Sequence, residues 1–390
     1  MQIPVWAKLL SLFCLSVPGL VAAPRFTLTA RRLPDHTLLT PVRINGAGPF
    51  VCTFDSGASR TLTLNAAIAA KAGLKPNGQG ESAGEGPTVV ADQRVLGATV
   101  VLGELSLPGR TVVLRPMEVG GQADCVMGTG ILNSFVVQID YATPEIRLYD
   151  AADFRPAPNM TNVPVTYLNG HPVIPVRIAL KAGNAIDAKF LVDTAIGQWP
   201  LALHKAFIDA NDILQKTDKV VTPPFSGESS GKIALLATRT ASLSVGPFNT
   251  NNDVAILFRT ESAVALPWDG NIGSEFFRRF TLTLDYPGNR LFLEPNAELR
   301  QPPAPFDSSG LVVRGSPGAF RIGTVLPNSP ADAAGLKKDD VILSIDGVPS
   351  AQLDIHQIRR KLYRATGICV IRVQRGDSEV SATIELKPAL

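Results

Sequence analysis

Apolar and polar positions alternate over short stretches along most of this chain. "PVRINGAGPFVCTFDSGA" (Pro41–Ala58) gives Val-Arg-Ile, a turn, then a second apolar run. Period-two alternation broken by turn residues predicts a β-hairpin. The pattern recurs in "PVRIALKAGNAIDAKFLVDTAIG" (Pro175–Gly197), which predicts a second hairpin. Two later stretches also match, "CVMGTGILNSFVVQIDYATPEIRLYD" and "DGNIGSEFFRRFTLTLDYPGNRLFLEP". Each runs through a Gly (Gly128, Gly273), a Phe-containing segment, an Asp-Tyr turn (Asp140-Tyr141, Asp285-Tyr286) and a closing strand. The offset is 138 residues between Asp55 and Asp193 and 145 between Gly128 and Gly273. A repeat this long predicts two homologous lobes, each large enough for its own core.

Beyond the repeat the pattern changes. "GTVLPNSPADAAGLKKDDVILSIDGVPS" predicts a strand, a turn, a short helix ended by Gly335 and a strand running to Asp346-Gly347. Ile355, Ile358 and Leu362 stand at helical spacing, and "ICVIRVQRG" and "EVSATIEL" close the segment as strands. Pro-containing stretches mark the joints, "FRPAPNMTN" and "NAELRQPPAPFD". The organisation expected is a signal segment at 1–23, a first lobe at 24–150, a linker at 151–162, a second lobe at 163–296, a linker at 297–307 and a last domain at 308–390. With 33 Gly and 31 Pro in 390 residues, turns are frequent, as a mainly β protein requires.

A net charge of +3 with no Lys/Arg cluster argues against nucleic acid as a partner. Lys8 precedes the apolar run "LLSLFCLSVPGLVAA", which ends in small residues and reads as an export signal to the periplasm or beyond. The run is short for a membrane span, so membrane association is expected only if it stays uncleaved. Three cysteines remain after it, Cys52, Cys125 and Cys369. The odd count argues against a disulfide framework, and Cys52 and Cys125 are expected as two buried thiols. The four histidines are scattered without metal-ligand spacing, so no metal or cofactor is expected.

The candidate chemistry lies at the repeated acids. Asp55 in "FDSGAS" and Asp193 in "FLVDTAIG" each end an apolar run and enter a cluster of small residues. One such acid reads as a turn residue, but two at equivalent places predict a shared site between lobes. Two close carboxyls cannot both ionise cheaply, so one keeps a proton while the other acts as general base on a water. Ser56 and Thr194 offer hydroxyls to tie the two turns, and Gly57 allows backbone N–H groups close to the acid. Gly80–Gly84 and Gly227–Gly231 both fit G-x-S-x-G, with Ser82 and Ser229 at its centre. Their turn-like flanks lack the buried strand and following helix of a serine-hydrolase elbow, so hairpin tips are expected.

These motifs resemble those of the aspartic peptidases in their bacterial retropepsin-like form, over roughly Phe26–Pro295. The resemblance implies two pseudo-symmetric β-barrel lobes, a catalytic dyad of Asp55 and Asp193, and supporting positions at Ser56, Gly57, Thr194, Ala195, Gly128 and Gly273. It implies flap or substrate-binding positions at Gly80, Ser82, Gly84, Gly227, Ser229 and Gly231. The substrate would be a peptide or unfolded protein, and the chain a monomer. The segment from Ser308 resembles a PDZ domain of bacterial envelope proteases through "SPADAAGLKKDDVILSIDG". That implies strand addition of a peptide, often by its C-terminal carboxylate, at Gly310, Leu311, Val312 and Val313. One departure is Ala195, where the family usually has Gly. If that position needs positive φ, the site is crippled and the protein binds peptides without cutting them.

Overall fold

Asn45 and Gly46 take φ of +50° and +82° and join strands Leu38–Ile44 and Ala47–Phe54. Two consecutive left-handed residues make the tight turn whose twist suits a hairpin. The register runs from Leu39 opposite Thr53 to Ile44 opposite Ala47, with a bulge near Arg43. Val42 and Ile44 are fully buried while Pro41 and Arg43 face solvent, as the alternation requires. The equivalent hairpin in the second half pairs His171–Ala179 with Ile186–Asp193. The structure, a computed structural model, describes residues 23–58, 62–116, 123–223, 227–228, 231–303 and 306–390. The export-signal reading and Ser229 lie outside the described residues.

The architecture is mainly β. In the first lobe eight strands form one sheet, in the order Arg31–Arg32, Leu38–Ile44, Ala47–Phe54, Cys125–Met127, Leu62–Asn65, Leu105–Arg115, Val90–Leu102 and Gly78–Ser82. In the second lobe Ile186–Asp193 lies between His171–Ala179 and Gly270–Gly273. A third, six-stranded sheet is shared. Val136–Asp140 from the first lobe pairs antiparallel with Phe280–Asp285 from the second, Gln138 opposite Thr283. This sheet continues one hydrophobic core from lobe to lobe, through Val137, Ile139, Leu282 and Leu284. Each such fully buried side chain contributes about 1.5–3 kcal/mol. The turn acids Asp140 and Asp285 accept backbone N–H groups of their own turns, which makes them structural.

Residues 308–390 have a separate core built on Phe320, Ile322, Ile342, Ile358 and Ile371. The helix Ile355–Leu362 starts with a reciprocal capping box between Asp354 and Gln357 and buries Ile358 and Leu362. Strand Leu311–Arg314 is an edge of the domain's sheet. The domain rests on both lobes. His356 lies 3.9 Å from Asp35, and the terminal Ala389 and Leu390 join an apolar cluster of the second lobe that also takes in Trp199 and the linker residue Phe306. No helix among the described residues is long and apolar enough to cross a membrane.

The cysteine expectation is corrected. Cys52 and Cys125 are directly opposite each other on parallel strands, Cα atoms 4.5 Å apart, and form a disulfide. They stand three residues before Asp55 and Gly128, and the parallel register that brings those two residues together also brings the sulfurs together. Cys369 is free and buried in the last domain.

Candidate active site

In both lobes the strand that delivers the acid runs parallel to the strand that ends in the paired Gly. Phe54 sits opposite Met127, and Asp193 sits opposite Gly273. The Asp55 N–H donates to the Met127 carbonyl at 3.0 Å, which fixes where the strand stops and the acid begins. Asp55 Oδ1 then accepts the N–H groups of Gly57 and Ala58 at 2.8 and 3.0 Å. Asp193 Oδ1 accepts from the Ala195 N–H at 3.0 Å. Small residues after an Asp favour this side-chain-to-backbone turn, which holds the carboxyl rigidly.

The two turns are laced together across the lobe boundary. The Ser56 N–H donates to Thr194 Oγ1 at 3.0 Å, and Thr194 Oγ1 donates to the Phe54 carbonyl at 2.9 Å. Reciprocally, the Thr194 N–H donates to Ser56 Oγ at 3.2 Å, and Ser56 Oγ donates to the Val192 carbonyl at 2.6 Å. Both hydroxyl residues are buried, so these four bonds exclude water and fix the carboxyl spacing. Gly57 is required by crowding, because a Cβ there would lie 2.9 Å from Asp193 Cγ. A side chain at Gly273 would collide with Ile196 and the Trp199 carbonyl. Gly128 caps a short helix in extended conformation. Ala195 does not adopt positive φ, so its methyl group imposes no left-handed strain.

Asp55 and Asp193 line the same cavity, close enough for each to act on the other's titration. Burial and the neighbouring Asp193 charge push the Asp55 carboxyl well above the carboxylate range, against the pull of the Gly57 and Ala58 N–H groups. Burial and the charge of Glu85 push Asp193 up to about 6, while the Ala195 N–H, the Asn271 amide and the Asp55 hydrogen bond pull it down. Burial and mutual repulsion thus keep one proton on the pair, shared between the two carboxyls.

Sequence reasoning missed Asn271 and Glu85. Asn271 Nδ2 donates to Asp193 Oδ2 at 2.9 Å and to Glu85 Oε1 at 2.6 Å. In the first lobe the same register position, two residues before the Gly, holds Val126. Aligning "CVMG" with "GNIG" exposes this polar-for-apolar exchange, so the signal was present. Glu85 gave no signal, because it lies one residue beyond the glycine motif. It also contacts His204 Nε2 at 3.2 Å.

The cavity holding the carboxyls has a volume of about 650 Å³ and takes in Glu81, Ser82, Gly84, Arg115, Trp268 and Asn271. Its roof is the Gly78–Ser82 strand and the loop after it. The Gly84 and Gly86 carbonyls accept the Ser262 hydroxyl and Ala263 N–H of the second lobe at 3.0 and 2.9 Å. The Ser82 hydroxyl donates to Asp92 at 2.5 Å on a hairpin strand, the opposite of a serine nucleophile poised on a strand-to-helix elbow. A side chain at Gly80 would occupy the place of the Arg94 guanidinium. Gly227 lies in a two-residue strand paired with Lys232–Ile233, and a side chain at Gly231 would run into Pro87 and Thr88 of the first lobe. A larger cavity, about 760 Å³, lies between the last domain and the second lobe. It holds no facing carboxyl pair: Asp307 there is bound to its own loop and Glu385 to Lys387.

In the last domain Leu311 and Val313 point into the core, and Val312 and Arg314 alternate outward. The loop before them is closed by its own acid. Asp307 accepts the Ser309 N–H at 3.0 Å and the Gly310 N–H at 2.7 Å, and residues 307–310 are buried. The donors expected for a ligand carboxylate at Gly310 are thus already engaged.

Two lobes that place one acid each in a common cleft, roofed by hairpins, define a protease-like bilobal β protein with an appended domain. Residues 40–132 match the family model described as aspartyl protease, and residues 321–375 match that of the PDZ domain. The chain therefore joins an aspartyl-protease-like domain to a PDZ domain. A solved aspartic proteinase from Irpex lacteus is similar at 14% identity, over 71% of this chain and 99% of that chain, with a TM-score of 0.46. No curated protein matches the chain.

Proposed function

We propose that the chain is an exported aspartic-type endopeptidase. The observation that carries this reading is the pair of carboxyls in one cleft, each held by backbone N–H groups and their turns laced by the reciprocal Ser56/Thr194 bonds. In the mechanism that fits, a water lies between the carboxyls. Ionised Asp193 takes its proton as the oxygen attacks the scissile carbonyl carbon. Asp55 gives its proton to the carbonyl oxygen, forming a neutral tetrahedral diol. Asp193 then passes its proton to the departing nitrogen, the C–N bond breaks, and Asp55 recovers a proton from the diol. No covalent intermediate is formed. Ala195 does not argue for a binding-only protein, because its backbone is not left-handed. The PDZ domain offers edge strand Leu311–Arg314 for strand addition by a substrate or partner peptide. The disulfide and the N-terminal apolar run support export to an oxidising compartment.

The test is digestion of a mixed peptide library from about pH 3 to 7, bracketing carboxylate titration, with products read by mass spectrometry. Wild type should cleave, and Asp55→Asn and Asp193→Asn should not, with circular dichroism unchanged. Cleavage by either variant at the wild-type rate refutes the dyad. N-terminal sequencing of the protein from the envelope fraction tests export, and an uncut protein in the cytoplasm refutes it.

A further inference from the structure

Arg115 ends the strand Leu105–Arg115, beside Asn65. Leu114 is buried in the core, while Val113 and Arg115 line the cleft. Arg115 is half-buried. Among the described residues no hydrogen bond or ion pair engages its guanidinium, and the carboxylate whose charge acts on it is Asp92. That carboxylate is already taken. It lies fully buried under Arg94, accepting from Arg94 Nε at 2.8 Å and from the Ser82 hydroxyl at 2.5 Å. Asp92 is thus paired with Arg94 and acts on Arg115 only through its charge, and the Arg115 cation stands at the cleft wall without an ion-pair partner among the described residues. A half-buried guanidinium at a cleft wall, with no protein carboxylate paired to it, is placed to receive an anion that enters the cleft. No other acid of the cleft is paired with it: Asp55 accepts the Gly57 and Ala58 N–H groups, and Asp193 accepts the Ala195 N–H and the Asn271 amide. Glu81 is exposed on the hairpin, and Glu85 is turned to Asn271 and His204.

From this arrangement, and resting on the endopeptidase reading above, we infer that Arg115 is a specificity-determining residue that binds an acidic side chain of the peptide substrate. A guanidinium receives a carboxylate through two parallel N–H bonds, which selects Glu or Asp over their amides. Arg115 and the two acids line one cleft, so the acidic residue is expected at one fixed position relative to the bond that is cut.

The experiment uses the full-length protein and a fluorogenic peptide series, taken from a cleaved library sequence, with Glu, Gln or Lys at each position in turn. Wild type should prefer Glu over Gln at one position by about 10- to 100-fold in kcat/KM, the range of a hydrogen-bonded charge. Arg115→Gln should bring that ratio close to one, Arg115→Lys should keep part of it, and Arg115→Glu should invert it toward Lys. A ratio unchanged in Arg115→Gln overturns the inference, as does a wild type indifferent to Glu at every position. The same peptides are titrated against Asp55→Asn by fluorescence anisotropy. If wild type cuts nothing, the endopeptidase reading fails by itself, and the series is built instead on a library peptide that the Asp55→Asn protein retains. The Glu-over-Gln binding ratio and its loss in Asp55→Asn/Arg115→Gln then still decide the role of Arg115.

Discussion

Asn271→Val makes the second lobe like the first at the position next to the acid, and its consequence has a definite sign. The Asn271 amide donates to Asp193 Oδ2 at 2.9 Å and pulls the Asp193 pKa down, against burial and the Glu85 charge. A hydrogen bond to a charged group contributes about 1.5–3 kcal/mol. Its loss should therefore raise the pKa of the base by about one to two units. The base must be ionised to accept the water proton, so activity lost on acidification disappears at higher pH in the variant. The acid limb of kcat/KM against pH should move up by that amount, with the plateau less affected. Glu85→Gln should move the limb the other way, because it removes a negative charge that raises the Asp193 pKa. The assay is a pH–rate profile with one quenched peptide, scored as apparent values of the pair rather than of either acid. Thermal unfolding of each variant controls for loss of fold. A uniform fall in rate at every pH, or a shift of both variants in the same direction, refutes the argument.

Gly57→Ala should cost at least 100-fold in kcat, since its Cβ would lie 2.9 Å from Asp193 Cγ. Ala195→Gly should change kcat less than threefold and lower stability by about 0.4–1 kcal/mol through unfolded-chain entropy; steady-state kinetics and urea unfolding check both. Reducing Cys52–Cys125, which closes a sequence separation of 73, should lower stability by about 4 kcal/mol. Intact mass should rise by about 2 Da on reduction, and an unchanged mass refutes the bridge. Peptides that bind the PDZ domain should bind equally well with a free or an amidated C-terminus, because Asp307 already occupies the Ser309 and Gly310 N–H groups. A tenfold loss on amidation, read by fluorescence anisotropy on Asp55→Asn protein, refutes that reading.

The chain by itself determined the hairpins, the helix at Ile355–Leu362, the duplication and the pairing of Asp55 with Asp193. Those features are written in local periodicity or in a repeat, and a repeat assigns equivalent residues to equivalent places before any distance is known. Even the Ser56 and Thr194 hydroxyls could be anticipated, since pseudo-symmetry puts them opposite each other. Tertiary structure decided the rest. The disulfide depended on a parallel register that opposes Cys52 to Cys125 directly, and an odd cysteine count argued the other way. Glu85 reached Asn271 only because the roof of the first lobe crosses to the second. Asp307 closed its own loop through a turn of three residues whose N–H directions no composition reveals. That Ala195 carries no left-handed strain was decided by a backbone angle, and the unpartnered charge of Arg115 by what surrounds it. Contacts made where the symmetry is broken, or between segments far apart in the chain, have no period to announce them. The duplication places the two acids together, and the contacts outside it, Asn271 and Glu85 on the Asp193 side, make them unequal.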